Sequence, residues 1–121
     1  MILDHYTIHT ADLERSRRFY QDILGLTAGY RPPFEGPPGA WLYGPNERPV
    51  VHLYAGRQSV ATDVGAMDHI AFLVDELRPI IEKLRKYEVY FETARVPEIG
   101  STQVFFRDPD GLQIELNHEP E

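Results

Sequence analysis

The chain has 121 residues, 42% of them hydrophobic, which is enough for one domain with a substantial core. Its formal net charge of −7 argues against nucleic acid or an anionic membrane surface as a partner. Cysteine is absent, which excludes thiolate nucleophiles, disulfides and Cys-ligated zinc. There is no signal-peptide pattern and no apolar run of the roughly 18 residues that a membrane span needs, so we expect a cytoplasmic protein.

The first part of the chain, about residues 1–55, predicts one β-α-β-β-β unit. The alternation from Leu3 to His9 is typical of a strand, and Asp12 is a good N-cap for the helix that follows. Gly25 is placed to end that helix. Three further strands are predicted, over Leu26 to Tyr30, Ala40 to Tyr43 and Val50 to Tyr54.

The second part repeats this order after a connection over residues 55–66. A strand over Met67 to Val74 leads into a helix over Glu76 to Tyr87, with Pro79 in the first turn, where proline is tolerated. Three more strands are predicted, over Val89 to Val96, Thr102 to Arg107 and Leu112 to Asn117. We therefore predict one domain over residues 1–121, with module one at about 1–55 and module two at about 67–118.

The last two strands are predicted to form a hairpin around Asp108-Pro109-Asp110-Gly111. Proline fixes φ near about −65°, and glycine accepts the positive φ that other residues resist. The returning strand alternates, so its apolar side chains face one way and Glu115 faces the other. A carboxylate at that point could be the solvated face of an edge strand, or it could have a chemical role.

Three segments of the first part match the second part at nearly constant spacing. The matches are Leu3–His5 with Met67–His69 and Trp41–Asn46 with Phe105–Asp110, both at an offset of 64, and Val51–Leu53 with Ile114–Leu116 at 63. Such a repeat indicates two similar units, which usually pack about a pseudo-twofold axis.

Four residues hold equivalent positions in the two units. His5 and His69 lie on the first strands, and His52 and Glu115 lie on the last strands. Imidazole and carboxylate are ligands for Fe²⁺, Mn²⁺, Co²⁺, Ni²⁺ and Zn²⁺. The repeat therefore favours a site where these four side chains meet and bind one divalent metal ion.

The paired units resemble the vicinal oxygen chelate superfamily, which includes glyoxalase I, extradiol dioxygenases, methylmalonyl-CoA epimerase, fosfomycin-modifying enzymes and bleomycin-resistance proteins. The resemblance covers nearly the whole chain. Its most specific parts are Leu3–His5, Asp12–Ser16 with Phe19-Tyr20 and Leu24–Leu26, Asp68–Phe72, Phe106–Gly111 and Ile114–Leu116. It implies an α+β fold in which two βαβββ modules form an eight-stranded, incompletely closed barrel (glyoxalase-like). The ligand positions of the family fall on His5, His52, His69 and Glu115.

The resemblance leaves three functions open. In the family the metal binds two neighbouring substrate oxygens and stabilises an anion, and Glu115 can be both ligand and base, which favours a glyoxalase-like lyase or isomerase. An extradiol-type ring-cleaving dioxygenase is the alternative, because His5, His69 and Glu115 form a two-His-one-carboxylate triad. However, Phe105 stands where those enzymes place a tyrosine. The third function is a small-molecule binding protein anchored by the metal.

We expect His52 to be a direct ligand or to lie within one hydrogen bond of the metal's open position, where it can move a proton near neutral pH. Strand positions also predict a pocket for a small-molecule substrate. Its predicted lining residues are Trp41, Tyr43, Tyr54, Phe105 and Arg107. Each half is too small to bury its own sheet face, and the family's metal sites often draw ligands from two chains, so we predict a homodimer.

Overall fold

The computed structural model describes residues 1–33, 35–58 and 65–120. It divides the chain into two compact units, an N-terminal unit (Met1–Val60) and a C-terminal unit (Ala61–Glu121). Residues 59–64 of the predicted connection over residues 55–66 lie outside the described residues, and the single domain over residues 1–121 stays a prediction. Within the described residues, neither α-helix is long and apolar enough to cross a membrane.

The N-terminal unit has the predicted β-α-β-β-β order. Its elements are β1 (Tyr6–His9), α1 (Leu13–Asp22), β2 (Thr27–Gly29), β3 (Gly39–Tyr43), a short 3₁₀ helix (Pro45–Glu47) and β4 (Pro49–Tyr54). The sheet order is β1-β4-β3-β2, with β1 parallel to β4 and the other pairs antiparallel. Asp12 caps α1 as predicted, because its side chain accepts a hydrogen bond of 3.0 Å from the Arg15 N–H.

Strand β1 is shorter than the alternation predicts, since it begins at Tyr6 and leaves His5 just before it. Tyr6 pairs with Val51. Continuing that register backwards would bring Asp4 beside Pro49, which has no N–H to donate to a ladder. His5 therefore lies at the edge of the regular sheet, beside the start of β4.

The two faces of this sheet differ in chemistry. One face carries Ile8, Leu42, Val51 and Leu53, all buried, and α1 packs against the sheet with Tyr20 fully buried. In the cross-strand register Thr7, His52 and Trp41 lie in one row and face the other way. The apolar face thus holds the helix, and the opposite face presents the polar and aromatic side chains.

The C-terminal unit repeats the architecture. Its elements are β5 (His69–Leu73), α2 (Arg78–Lys86), β6 (Phe91–Arg95), β7 (Thr102–Arg107) and β8 (Gln113–His118). The sheet order is β5-β8-β7-β6. As in the N-terminal unit, the first strand in the chain, β5, is parallel to the last one, β8. Pro79 lies in the first turn of α2, as predicted. All eight predicted strands and both predicted helices are present, so the α+β class with two βαβββ modules is confirmed.

Strand β8 is central, with β5 on one side and β7 on the other. Ile114 and Leu116 are fully buried on one face, while Glu115 on the opposite face is still only 8% exposed. The interpretation of Glu115 as a solvated residue of an edge strand is therefore wrong. A carboxylate so placed loses most of its hydration and needs compensating partners.

The hairpin turn between β7 and β8 is organised by a buried aspartate. Gly111 has φ of 90°, as the predicted turn requires. Asp108 Oδ1 accepts hydrogen bonds from the backbone N–H groups of Asp110 (2.9 Å) and Leu112 (2.8 Å). The turn thus fixes the residue from which β8 begins, and with it the face on which Glu115 lies.

We expect Asp108→Ala to lower the free energy of unfolding by about 1–3 kcal/mol, because two buried N–H groups lose their acceptor. Asp108→Asn is the matched control, since its amide oxygen can still accept both bonds. Denaturant unfolding of the two variants checks this. Equal losses for alanine and asparagine would show that the negative charge, and not the acceptor, stabilises the turn.

Candidate metal centre

The C-terminal unit brings His69 and Glu115 together on one sheet face. His69 Nε2 lies 3.8 Å from Glu115 Oε1, while Gln103 Nε2 donates a hydrogen bond of 3.1 Å to the same oxygen. Both contacts involve Oε1, the carboxylate oxygen that faces His69. An imidazole nitrogen and a carboxylate oxygen this close are donor types that would hold a divalent ion together.

The imidazole of His69 is oriented by the residue before it. Its Nδ1 donates a hydrogen bond of 2.8 Å to Asp68 Oδ2. A carboxylate only accepts, so Nδ1 carries a proton, and in the neutral ring the lone pair is then at Nε2, the nitrogen nearer Glu115. Carboxylates hold metal-binding histidines in this way and raise their basicity.

The N-terminal unit repeats that arrangement at His5. His5 Nδ1 donates a hydrogen bond of 2.7 Å to Asp4 Oδ2, and Arg48 Nη2 donates to Asp4 Oδ1 at 2.8 Å. The His5 hydrogen bond holds the pKa of Asp4 below its ordinary value, with the charge of Arg48 acting in the same direction. Asp4 is therefore ionised at neutral pH, and the lone pair of His5 is at Nε2.

His52 is the middle ring of a three-ring stack. Its centroid lies 3.8 Å from that of His5 at an interplanar angle of 11°, and 4.2 Å from a Trp41 ring at 13°. His52 Nε2 donates a hydrogen bond of 3.1 Å to the Pro49 carbonyl, so its lone pair is at Nδ1. Burial lowers the pKa of His52, and His5 lowers it further, so His52 is neutral at pH 7.

The structure thus brings the four candidate ligands together as two pairs, one in each unit. Among the described residues, no group of three or more His, Asp or Glu side chains is placed to hold a metal ion. Imidazole lone pairs backed by carboxylates, and a buried glutamate beside one of them, nevertheless suit a divalent metal. The donor chemistry of the His69–Glu115 pair therefore fits the predicted ion.

The five predicted pocket residues have different surroundings. Trp41 has a ring face against His52. Tyr43 donates to the Tyr30 carbonyl and lines a groove of about 480 Å³, whereas Tyr54 lies under the Arg31 guanidinium at 5.9 Å. Phe105 and Arg107 line a groove of about 630 Å³ in the C-terminal unit.

Sequence reasoning missed the partners that hold the site residues. Asp4 and Asp68 were visible as part of the repeated Asp-His dipeptide, because each precedes an equivalent histidine. Gln103 had a weaker signal. Since Phe105 pairs with Glu115, Gln103 is a diagonal neighbour of Glu115 across β7 and β8 and shares its face.

The chain is similar to a known protein family over nearly its whole length. Residues 2–116 match the family model of the Glyoxalase/Bleomycin resistance protein/Dioxygenase superfamily. The chain belongs to this superfamily. It is 31% identical over 121 residues to Glyoxylase I 4 of Arabidopsis thaliana, covering 94% of this chain and 68% of that protein. It is 33% identical to the lactoylglutathione lyase of Escherichia coli O157:H7, covering 98% and 93% of the two chains.

Comparison with solved structures shows a shared fold. The crystal structure of a glyoxylase/bleomycin resistance protein/dioxygenase domain from Frankia sp. EAN1pec matches with a TM-score of 0.82 at 22% identity, covering 99% of this chain and 98% of that one. The resemblance to the superfamily and the glyoxalase-like fold class predicted from the sequence are therefore confirmed.

His52 gives this superfamily member a testable pH dependence in its metal-free form. Because the folded pKa of His52 is lowered, acidification below about 6.5 protonates this residue in the unfolded chain first. The stability that neutral His52 contributes is therefore present above that pH and lost as pH falls toward the folded pKa. Denaturant unfolding in the presence of a chelator should show the advantage of wild type over His52→Gln shrinking from pH 7.5 to pH 5. An advantage that stays constant across this range would contradict the buried, neutral assignment.

Proposed function

We propose that this protein is a divalent-metal-dependent lyase or isomerase of the glyoxalase kind, acting on a small substrate with two adjacent oxygens. The observation that carries the proposal is the setting of Glu115. It is a buried carboxylate on a central strand, with Oε1 held by Gln103 and close to His69. The similarity to a lactoylglutathione lyase supports the lyase class.

The proposed ligands are His5, His69 and Glu115. Each histidine has Nδ1 committed to the preceding aspartate and presents Nε2 as the donor atom. When bound, a divalent ion would polarise a substrate oxygen and stabilise the negative charge that develops on it. Fe, Mn, Co, Ni and Zn all accept this combination of imidazole and carboxylate.

We propose that His52 transfers a proton and does not complete the ligand set. The lone pair of an imidazole nitrogen lies in the plane of its ring. The planes of His5 and His52 are nearly parallel and stacked, so their lone pairs do not converge on one point. His52 is neutral at pH 7, and Nδ1 is its accepting nitrogen.

Glu115 is the proposed base of the reaction. Its Oε1 is oriented by Gln103, and its Oε2 can accept a proton from the carbon next to the substrate oxygens. Burial restricts water around the carboxylate, which strengthens its electrostatic effect on the reacting atoms. Proton abstraction by Glu115 and proton return by Glu115 or His52 would together give an isomerisation.

We also propose a homodimer. Each unit supplies only two of the four candidate residues, and Leu73, on the same sheet face as His69, is 67% exposed. A second chain would cover such a face and contribute ligands. Light scattering at micromolar concentration is expected to give the mass of two chains, and a monomer with bound metal would contradict shared sites.

Oxygen dependence separates the proposed lyase from the dioxygenase alternative. Metal-loaded protein is assayed with hemithioacetals of 2-oxoaldehydes and with catechols, in argon and in air. We expect hemithioacetal turnover at the same rate in both atmospheres, because proton transfer consumes no oxygen. Turnover of catechols alone, with strict dependence on O₂, would overturn the proposal.

A further inference from the structure

The groove of about 630 Å³ in the C-terminal unit lies on the face that carries the His69–Glu115 pair. Across β5, β8 and β7, one row of the sheet is His69, Gln113 and Arg107. The next row on the same face, two residues along the strands, contains Glu115 and Phe105. Residues in register share a face, so Arg107, Phe105 and Gln113 line the groove beside the proposed metal ligands.

Arg107 is held so that one edge of its guanidinium stays available. Nη1 donates a hydrogen bond of 2.8 Å to the Gly111 carbonyl, which ties the side chain to the hairpin turn. The ion pairs found among the described residues do not include Arg107. The remaining Nε and Nη2 donors form a planar fork that matches the two oxygens of a carboxylate.

The other side chains of the groove narrow the choice of ligand. Glu92 also lines it, and its Oε1 accepts a hydrogen bond of 2.7 Å from the Tyr90 hydroxyl. The groove thus holds one cation, Arg107, beside one anion, Glu92. This balance suits a ligand group with a single negative charge better than a phosphate dianion. Phe105 and Val89 add apolar wall, which suits a short carbon chain.

We infer that Arg107 is a specificity-determining residue that selects substrates carrying a carboxylate away from the adjacent oxygens. This inference rests on the proposed function, which sets the adjacent oxygens beside Glu115. Arg107 is one strand from Glu115 and two strands from His69, or roughly 5–10 Å at the usual strand spacing. The substrate class is therefore a short acid with adjacent oxygens at one end and a carboxylate a few bonds away.

The test is calorimetric binding of 2-oxoglutarate and its 5-methyl ester to the metal-loaded protein. The two probes share the adjacent oxygens and differ only in the distal charge. Wild type is expected to bind the acid roughly 10–100-fold more tightly than the ester, the usual range for a hydrogen bond to a charged group. Arg107→Gln should remove this preference without changing ester affinity, while Arg107→Lys should keep part of it.

Arg78→Gln is the matched control, because Arg78 lies on α2 and pairs with Glu82. Equal binding of acid and ester by wild type, no binding of either, or an unchanged preference in Arg107→Gln would overturn the inference. So would tighter binding of the analogue in which a phosphonate replaces the distal carboxylate. Repeating the titration without metal separates the two proposals. A preference for the acid that persists there supports Arg107, whereas an unchanged affinity for both probes counts against the metal.

Discussion

Glu115→Ala is expected to leave the protein with less than about a tenth of an ion per chain, where wild type holds about one. The substitution removes a carboxylate ligand and leaves His69 beside a buried, polar space. Changes in the partners of metal ligands alone typically cost about 10–100-fold in affinity, and loss of a ligand costs more. Elemental analysis after dialysis, followed by turnover of the metal-loaded protein, measures both effects.

Two neighbouring variants make the Glu115 result specific. Glu92→Ala removes an exposed carboxylate from the same unit and should leave metal content unchanged. Gln103→Ala removes only the hydrogen bond to Oε1 and should weaken metal binding by roughly 10–100-fold. Wild-type stoichiometry and affinity in Glu115→Ala would show that the metal is held elsewhere or not at all.

His52→Phe should retain the metal and lose turnover by about 100-fold or more, the range expected for removal of a proton-transfer group. Phenylalanine keeps an aromatic ring between His5 and Trp41 but has no nitrogen, so it separates stacking from chemistry. His52→Ala is the companion variant, because it removes the ring as well. If His52→Ala holds less metal than His52→Phe, the difference measures how much the stacked ring contributes to positioning His5.

Two other results for His52→Phe would contradict the proton-transfer role. If metal is lost from the phenylalanine variant as well, His52 is a ligand, and the stacked arrangement must open when the ion binds. If metal and turnover are both unchanged, His52 serves only the packing of β4 and its bond to Pro49. Metal content and rate must therefore be measured on the same sample.

The sequence predicted the order and faces of the strands because that information is local. The alternation in Leu112–Asn117, together with the turn residues before it, predicts the face on which Glu115 lies. The internal repeat then identifies the equivalent residue of the first unit, His52. The length of β1 was not predictable in the same way. It depends on the pairing of Tyr6 with Val51 and on the missing N–H of Pro49, which are far apart in the chain.

The sequence indicated which residues belong to the candidate metal site, but it could not predict which side chains those residues contact. The stack of Trp41, His52 and His5 depends on β3 lying beside β4 and on side-chain rotations that no spacing encodes. Strand position predicts that Trp41 lines the substrate pocket, and the structure adds that one face of its indole contacts His52. The hydrogen bonds of Asp4 and Asp68 were likewise hidden, because adjacent residues on a strand would ordinarily face opposite ways.

The most direct test of the metal assignment follows the histidine side chains themselves. Protein with ¹⁵N-labelled histidine is freed of metal and titrated with Mn²⁺ while the imidazole NMR signals are recorded. One equivalent should broaden the signals of His5 and His69 most strongly and leave His118 comparatively sharp. If His5 and His69 stay sharp after one equivalent, or broaden no more than His118, these residues do not hold the ion and the proposed centre is wrong.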